Sequence, residues 1–326
     1  MFSRSMVRVL PQVPPSFFSA ILGLAGLAND WRAAHLAWSL PSAIGETIYA
    51  LAALTWLVVA VLYGRKWIAS PAAAREEAEH AIQCCFIGLG GVATLLIAQG
   101  ALPYSRPVAI VLFSLGAVFT VTFALWRTGI LWRGGRDPST TTPVLYLPMV
   151  AGGFVTGIVS AALGWKELAE LAFGAAAFTW LAIESVLLHR LYTAPPMAPA
   201  MRPMLGIQLA PPAVGAVCYL SVSGGHSDLV AHMLIGYALL QALLLLRMQG
   251  WIREQPFAFS YWAFTFGATA LAGATIRLSI DKPDSLFAYL APVLFVGANL
   301  LVLGIAAGTL RLLLGGRLLP AAPGVK

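Results

Sequence analysis

Charge is scarce in this chain. Lys, Arg, Asp and Glu make up 10% of the 326 residues, against about 25% in ordinary soluble domains, and that deficit excludes a soluble globular fold. Cysteine is nearly absent too: Cys84, Cys85 and Cys218 all fall inside apolar runs, where a thiol behaves as a small apolar filler, and adjacent cysteines rarely bridge. No HExxH, CxxC, phosphate loop or dinucleotide fingerprint occurs, and the five histidines do not cluster at ligand spacing. These absences leave no sequence signature for a metal, a cofactor or an enzyme active site.

What fills the chain is hydrocarbon. Hydrophobic residues reach 59% and mean hydropathy is +0.82. A bilayer core about 30 Å thick needs roughly 20 apolar residues per helix, and helices satisfy their own backbone groups where no water can. Continuous rather than alternating runs exclude a β-barrel. The runs predict an all-α integral membrane protein with spans near residues 16–29, 41–63, 81–101, 106–131, 143–164, 167–189, 204–222, 229–250, 256–276 and 285–313. Residues 1–326 form one membrane domain, since no connection is long enough to fold alone. REEAEH at 75–80 reads as a solvated helical lead into the third span, and MFSRSMVRVLPQV as an interfacial lead-in.

The net charge of +7 invites a nucleic-acid partner, but its distribution argues for a bilayer. With the N-terminus inside, all but Arg32, Arg106, Lys166, Arg277 and Lys282 of the 20 Lys and Arg fall in cytoplasmic segments. This positive-inside bias predicts an even number of spans and both termini in the cytoplasm, with some attraction to anionic headgroups.

The runs alternate in kind. Odd-numbered runs carry no charge in their cores and are rich in Gly and Pro; even-numbered runs are longer, flanked by Arg, and hold Glu46, Glu184 and His232. Small residues in the odd set allow close packing in lipid. The other reading is a path-lining role, because Pro148, Pro211 and Gly90–Gly91 weaken the backbone ladder inside their spans. Freed carbonyls at that depth are tolerated only when buried in protein or lining a water-filled cavity. Phe266, just before Gly267 on the ninth run, is a core or lipid-facing residue on one reading and an occluding ring on the other, since hydrophobic constrictions gate by dewetting.

Several segments resemble a known family: TTPVLYLPMVAGGF (141–154), LGIQLAPPAVGAVCYLS (205–221), IGYALLQALLLLRMQGWI (235–252), FSYWAFTFGATALA (259–272), FGAAAFTWLAIESVLLHRL (173–191) and TGILWRG (128–134). Together they are similar to the bacterial TehA proteins of the tellurite-resistance/dicarboxylate transporter family, which includes the slow anion channel of plant guard cells. The resemblance implies five helical hairpins, odd-numbered helices forming an inner ring around a central pore, a homotrimer with one pore per protomer, and a bacterial inner membrane location. It also implies an anion conduit closed near mid-membrane by a Phe, which falls on Phe266. The candidate pore-lining residues are Ser16, Phe18, Ser19, Gly91, Pro148, Gly152, Pro211 and Gly267.

The chain departs from that pattern in places. Ser16-Phe17-Phe18-Ser19 stands where relatives carry GYFG, Ile21 and Gly91 stand at family prolines, and Ile183-Glu184-Ser185 replaces Phe-Glu-Pro. The expected function is an anion channel for small monovalent anions, because a charge-free inner set binds weakly. The competing reading is a proton-coupled dicarboxylate carrier or an exporter of tellurite-related or other toxic compounds. Such a carrier needs an ionisable group on the path, for which Glu46, Glu184 and His232 are the candidates, each with hydrogen bonding between helices as the structural alternative. A membrane enzyme or scaffold sharing the ring of helices is the third class.

Overall fold

A computed structural model describes residues 12–135 and 137–319. The N-terminal lead-in before Gln12, Arg136 and the final Lys326 lie outside the described residues. Among these residues the chain is helical without strands. Twelve α-helices are present: α1 (Phe18–Trp38), α2 (Ser42–Ala69), α3 (Pro71–Glu79), α4 (Gln83–Ile87), α5 (Leu89–Ala101), α6 (Arg106–Leu131), α7 (Gly152–Ala162), α8 (Lys166–Thr193), α9 (Ala210–Val222), α10 (Leu229–Ile252), α11 (Thr265–Asp281) and α12 (Leu286–Leu314).

Among the described residues, nine segments are long and apolar enough to cross a membrane. The tenth long helix, α1, has 21 residues and a length of about 31 Å, but carries Asn29, Asp30, Arg32 and His35 in its second half. Its run was expected to end at residue 29; the helix continues to Trp38 and stops where Ser39 turns left-handed (φ 55°). The charged lead at 75–80 is helical, as α3.

Two shells result. In the apolar stretches of the inner spans after α1, 56–78% of residues are buried, against 22–33% in α2, α6, α8, α10 and α12. Helices α1, α5, α7, α9 and α11 each touch the next, and α11 returns to α1, closing a ring; each also pairs with the outer helix that follows it. Lipid offers no hydrophobic drive between helices, so close packing of small residues holds the ring. Leu54, Leu115, Phe178, Leu243 and Leu300 project outward from the outer shell, as lipid-facing residues do. Exposed Trp67, Trp132 and Tyr192 lie toward one end of that shell and Tyr104 and Tyr289 toward the other, the placement of interfacial aromatics.

The inner spans begin irregularly. Pro15–Phe17 is 3-10 helix before α1, Pro143–Tyr146 is 3-10 and Leu147–Ala151 π-helix before α7, and Pro199–Leu209 and Phe259–Phe264 are 3-10 before α9 and α11. Prolines at the first turns of four of these segments remove a donor and fix φ. The third span breaks at Gly88, between α4 and α5, two residues before the expected Gly90–Gly91 pair.

Candidate functional site

The irregular segments all lie at one end of the ring, here termed the near half. There they enclose a cavity of ≈ 130 Å³ lined by Ser16, Ser19, Leu22, Phe86, Leu147, Val150, Ile207, Pro211, Ala263 and Phe266, among others. Non-α backbone at membrane depth thus borders a cavity, as the solvation of its freed groups requires. A second cavity of ≈ 40 Å³ occupies the far half, lined by Asn29, Asp30, Leu96, Gln99, Ile158, Val217, Thr269, Gly273 and Arg277. Each cavity is lined by all five inner spans.

Phe266 and Val214 line both cavities. The Phe266 side chain lies 3.5 Å from where Gly26 of α1 would carry a Cβ, so the ring reaches across to the neighbouring helix. It is half-buried, with a face toward open space on either side. Thr265 and Thr269 flank it and turn their hydroxyls onto their own helix, Thr265 to Trp262 O at 2.8 Å and Thr269 to Thr265 O at 3.0 Å.

The other expected residues divide. Ser16, Ser19 and Pro211 line the near cavity, and Ser19 donates its hydroxyl to Ser16 O at 2.6 Å. Phe18, Gly91, Pro148, Gly152 and Gly267 serve contacts between elements. Phe18 packs edge-on to Tyr63 of α2 at 6.0 Å. A Cβ on either Gly91 or Gly152 would overlap Thr120 of α6, and one on Gly267 would stand 2.8 Å from Ala210 N. These glycines permit close approach of neighbouring elements. Pro148 is buried in the π-helical turn.

Glu184 is buried away from the cavities and fully engaged. Its Oε2 accepts from the Tyr146 hydroxyl and from Trp180 Nε1 at 3.0 Å; its Oε1 accepts from Gln208 Nε2 at 3.1 Å and the Tyr237 hydroxyl at 2.5 Å. Four donors on two oxygens exhaust a carboxylate's acceptor capacity and tie two hairpins together. Glu46 is clamped bidentately by Arg32 at 2.7 and 2.6 Å and accepts from Tyr104 at 2.7 Å. Arg32 in turn stacks over Tyr49 at 4.2 Å. His232, on the outer helix α10, bonds through Nδ1 with Asp228 O at 2.5 Å and packs against Phe287.

The inner set was expected to be free of charge; it is not. Asp30 on α1 and Arg277 on α11 line the far cavity, and Asp30 is only 2% exposed. Both were missed because they lie just beyond the apolar runs, at 29 and 276, and Arg277 was assigned to an outer loop. The helices extend past those runs because a ring around a cavity can hold polar groups that lipid would not. Asn29 and Gln99, joined at 3.2 Å, complete the polar lining. Among the described residues, no group of three or more His, Cys, Asp or Glu could hold a metal ion.

A closed ring of helices around an interrupted axial path, wrapped in an apolar shell, defines a multi-pass membrane channel or transporter. A family model described as voltage-dependent anion channel (SLAC1) matches residues 12–310. The chain is 32% identical over 296 residues to the tellurite resistance protein TehA homolog of Haemophilus influenzae, covering 89% of each. It is 23% identical over 305 residues to the S-type anion channel SLAH2 of Arabidopsis thaliana, spanning 91% of this chain and 58% of that one. Identity to an uncharacterized transporter of Methanocaldococcus jannaschii is 22% over 291 residues, or 80% and 82% of the two chains. The chain therefore belongs to the SLAC1 voltage-dependent anion channel family, whose members are anion channels and transporters rather than enzymes.

Proposed function

We propose that the axial path is an anion channel for small monovalent anions, closed in this conformation by the Phe266 side chain. The observation that carries the reading is the position of Phe266 between two cavities that together follow the ring axis. An apolar ring at a constriction excludes water and hence a hydrated ion. Leu22, Leu147, Val150 and Ile207 bring hydrocarbon up to the closure from the near side, so an ion there finds few partners and leaves readily. The positive-inside bias supports a bacterial inner membrane protein with the near half toward the cytoplasm. The family resemblance supports a homotrimer with one path per protomer.

A carrier driven by protons needs an ionisable group on the path; of the sequence candidates, Glu184, Glu46 and His232 are bonded elsewhere, and the carboxyl group that does line the path is Asp30 in the far cavity. Reconstitution in planar bilayers separates the readings. Phe266→Ala is expected to give an anion-selective current well above wild type, with a reversal potential that follows the chloride gradient. Absence of current from both forms, alongside saturable uptake driven by a pH gradient, would overturn the channel reading.

A further inference from the structure

We propose that the far cavity is a proton-linked binding site for one small monovalent inorganic anion, with Arg277 as the anion's ligand and Asp30 as the proton acceptor. The proposal rests on the reading of the axial path as an anion route and adds to it a site and a mode of regulation.

Asp30 is buried and left unsatisfied. Its Oδ1 lies 2.7 Å from the place where Gly273 would carry a Cβ, close against α11, while Oδ2 is buried without any hydrogen-bond partner. An unpaired carboxylate out of water is costly and calls for neutralisation by a proton or a cation. Arg277 faces the same void from α11 and gives one Nη1 bond to Ser221 Oγ at 3.0 Å. No ion pair within 4.0 Å joins the two. Both groups line the cavity without a direct ion pair, which leaves guanidinium donors available to a third party.

Charge balance then sets the ligand. With Asp30 ionised, the cavity is neutral when empty and would become negative on taking up an anion. With Asp30 protonated, the empty cavity carries one positive charge and is neutral once a monovalent anion binds. Proton and anion therefore load together. A volume of ≈ 40 Å³, at roughly 10–15 Å³ per water-sized occupant, suits a chloride-sized ion with a water or two and is too small for a dicarboxylate.

The charged and titratable groups on the elements packed against Asp30 are engaged as follows. On α1 itself, His35 Nδ1 meets Leu40 O at 2.7 Å. On α2, Tyr49 gives its hydroxyl to Asn29 at 2.9 Å and Glu46 is held by Arg32. Toward the cavity α5 contributes Gln99 and α7 contributes Ile158. On α12, Asn299 accepts from Trp31. On α9, Cys218 is a buried thiol, and on α11 Asp281 accepts from Ser227 N at the far end.

The test uses the full-length detergent-solubilised protein, with chloride as the probe and gluconate as the bulky control anion. The readout is the thermal unfolding midpoint as a function of chloride concentration between pH 5 and pH 8. In wild type the half-saturating chloride concentration should rise by up to about tenfold per pH unit, the limit for one linked proton. Asp30→Asn should bind chloride with no pH dependence, and Arg277→Gln should lose chloride stabilisation at every pH. Should Arg277→Gln fail to fold, Arg277→Lys carries the test and must keep a weakened, pH-linked response. Chloride stabilisation unchanged in either Arg277 variant, or a pH slope retained in Asp30→Asn, would overturn the site. Failure of the channel reading is separable: Phe266→Ala without current, but with the chloride linkage intact, removes conduction and leaves the site standing.

Discussion

Replacing Glu184 by Gln and by Ala distinguishes a carboxylate that holds helices together from one that moves protons. Ala strands the Trp180 indole N–H, the Tyr146 hydroxyl and the Gln208 amide N–H, whose residues are 5%, 1% and 3% exposed. At about 1–3 kcal/mol for each unsatisfied buried donor, the loss is about 3–9 kcal/mol. Gln can be accommodated with less. Trp180 can only donate, so the new amide oxygen stays on that side and the NH₂ turns toward Gln208 and Tyr237. Gln208 Oε1 now lacks a partner, and a flip of its amide would present that oxygen to the NH₂, while the Tyr237 hydroxyl rotates to accept. The remaining cost is lost charge assistance, partly offset by removal of a buried charge, about 1–2 kcal/mol in all. Unfolding of the detergent-solubilised variants measures the order wild type, Gln, Ala, and anion currents in a Phe266→Ala background should be the same with Glu184→Gln. A Gln variant as unstable as Ala, or one of full stability with altered pH dependence of current, would refute this reasoning.

Two further outcomes follow from the packing and the helix ends. Gly152→Ala should destabilise by about 1–3 kcal/mol through overlap with Thr120, and Thr120→Ala should restore most of it in the double variant, measured by the same unfolding assay. Asp228 caps α10 by accepting Ala231 N–H at 2.9 Å, and that bond, followed by the Tyr219 hydroxyl, holds its carboxyl below the ordinary value of 3.8. The depressed value means the cap's contribution is complete above pH 3.8 and fades as the pH falls through the lower folded value. Asp228→Ala should therefore lower the unfolding midpoint at pH 7 and have little effect once the pH lies well below that folded value.

Particular residues show how far the sequence could be read. Apolar run lengths located most of the spans to within a few residues, because lipid imposes one length on every crossing helix. They failed at the end of α1 and at Arg277, where a ring around a cavity relaxes that rule and lets Asp30 sit inside. Pro148 and Pro211 signalled irregular backbone, and the structure places Pro148 in a π-helical turn but Pro211 in the first turn of the regular helix α9. Gly91 and Gly152 were ambiguous from sequence, since a small residue serves a cavity or a neighbouring helix equally; only the approach of Thr120 decides. Glu184 could be placed on its helix, but three of its four partners come from other segments far apart in the chain, and only the tertiary fold brings them together.

The central claim is that Phe266 is the barrier between the two cavities. Single-channel recording of wild type, Phe266→Leu and Phe266→Ala in symmetric chloride tests it most directly. Conductance should rise in that order as the side chain shortens, with wild type near silence. Equal conductance in all three, or an Ala variant that folds and remains silent, would contradict it.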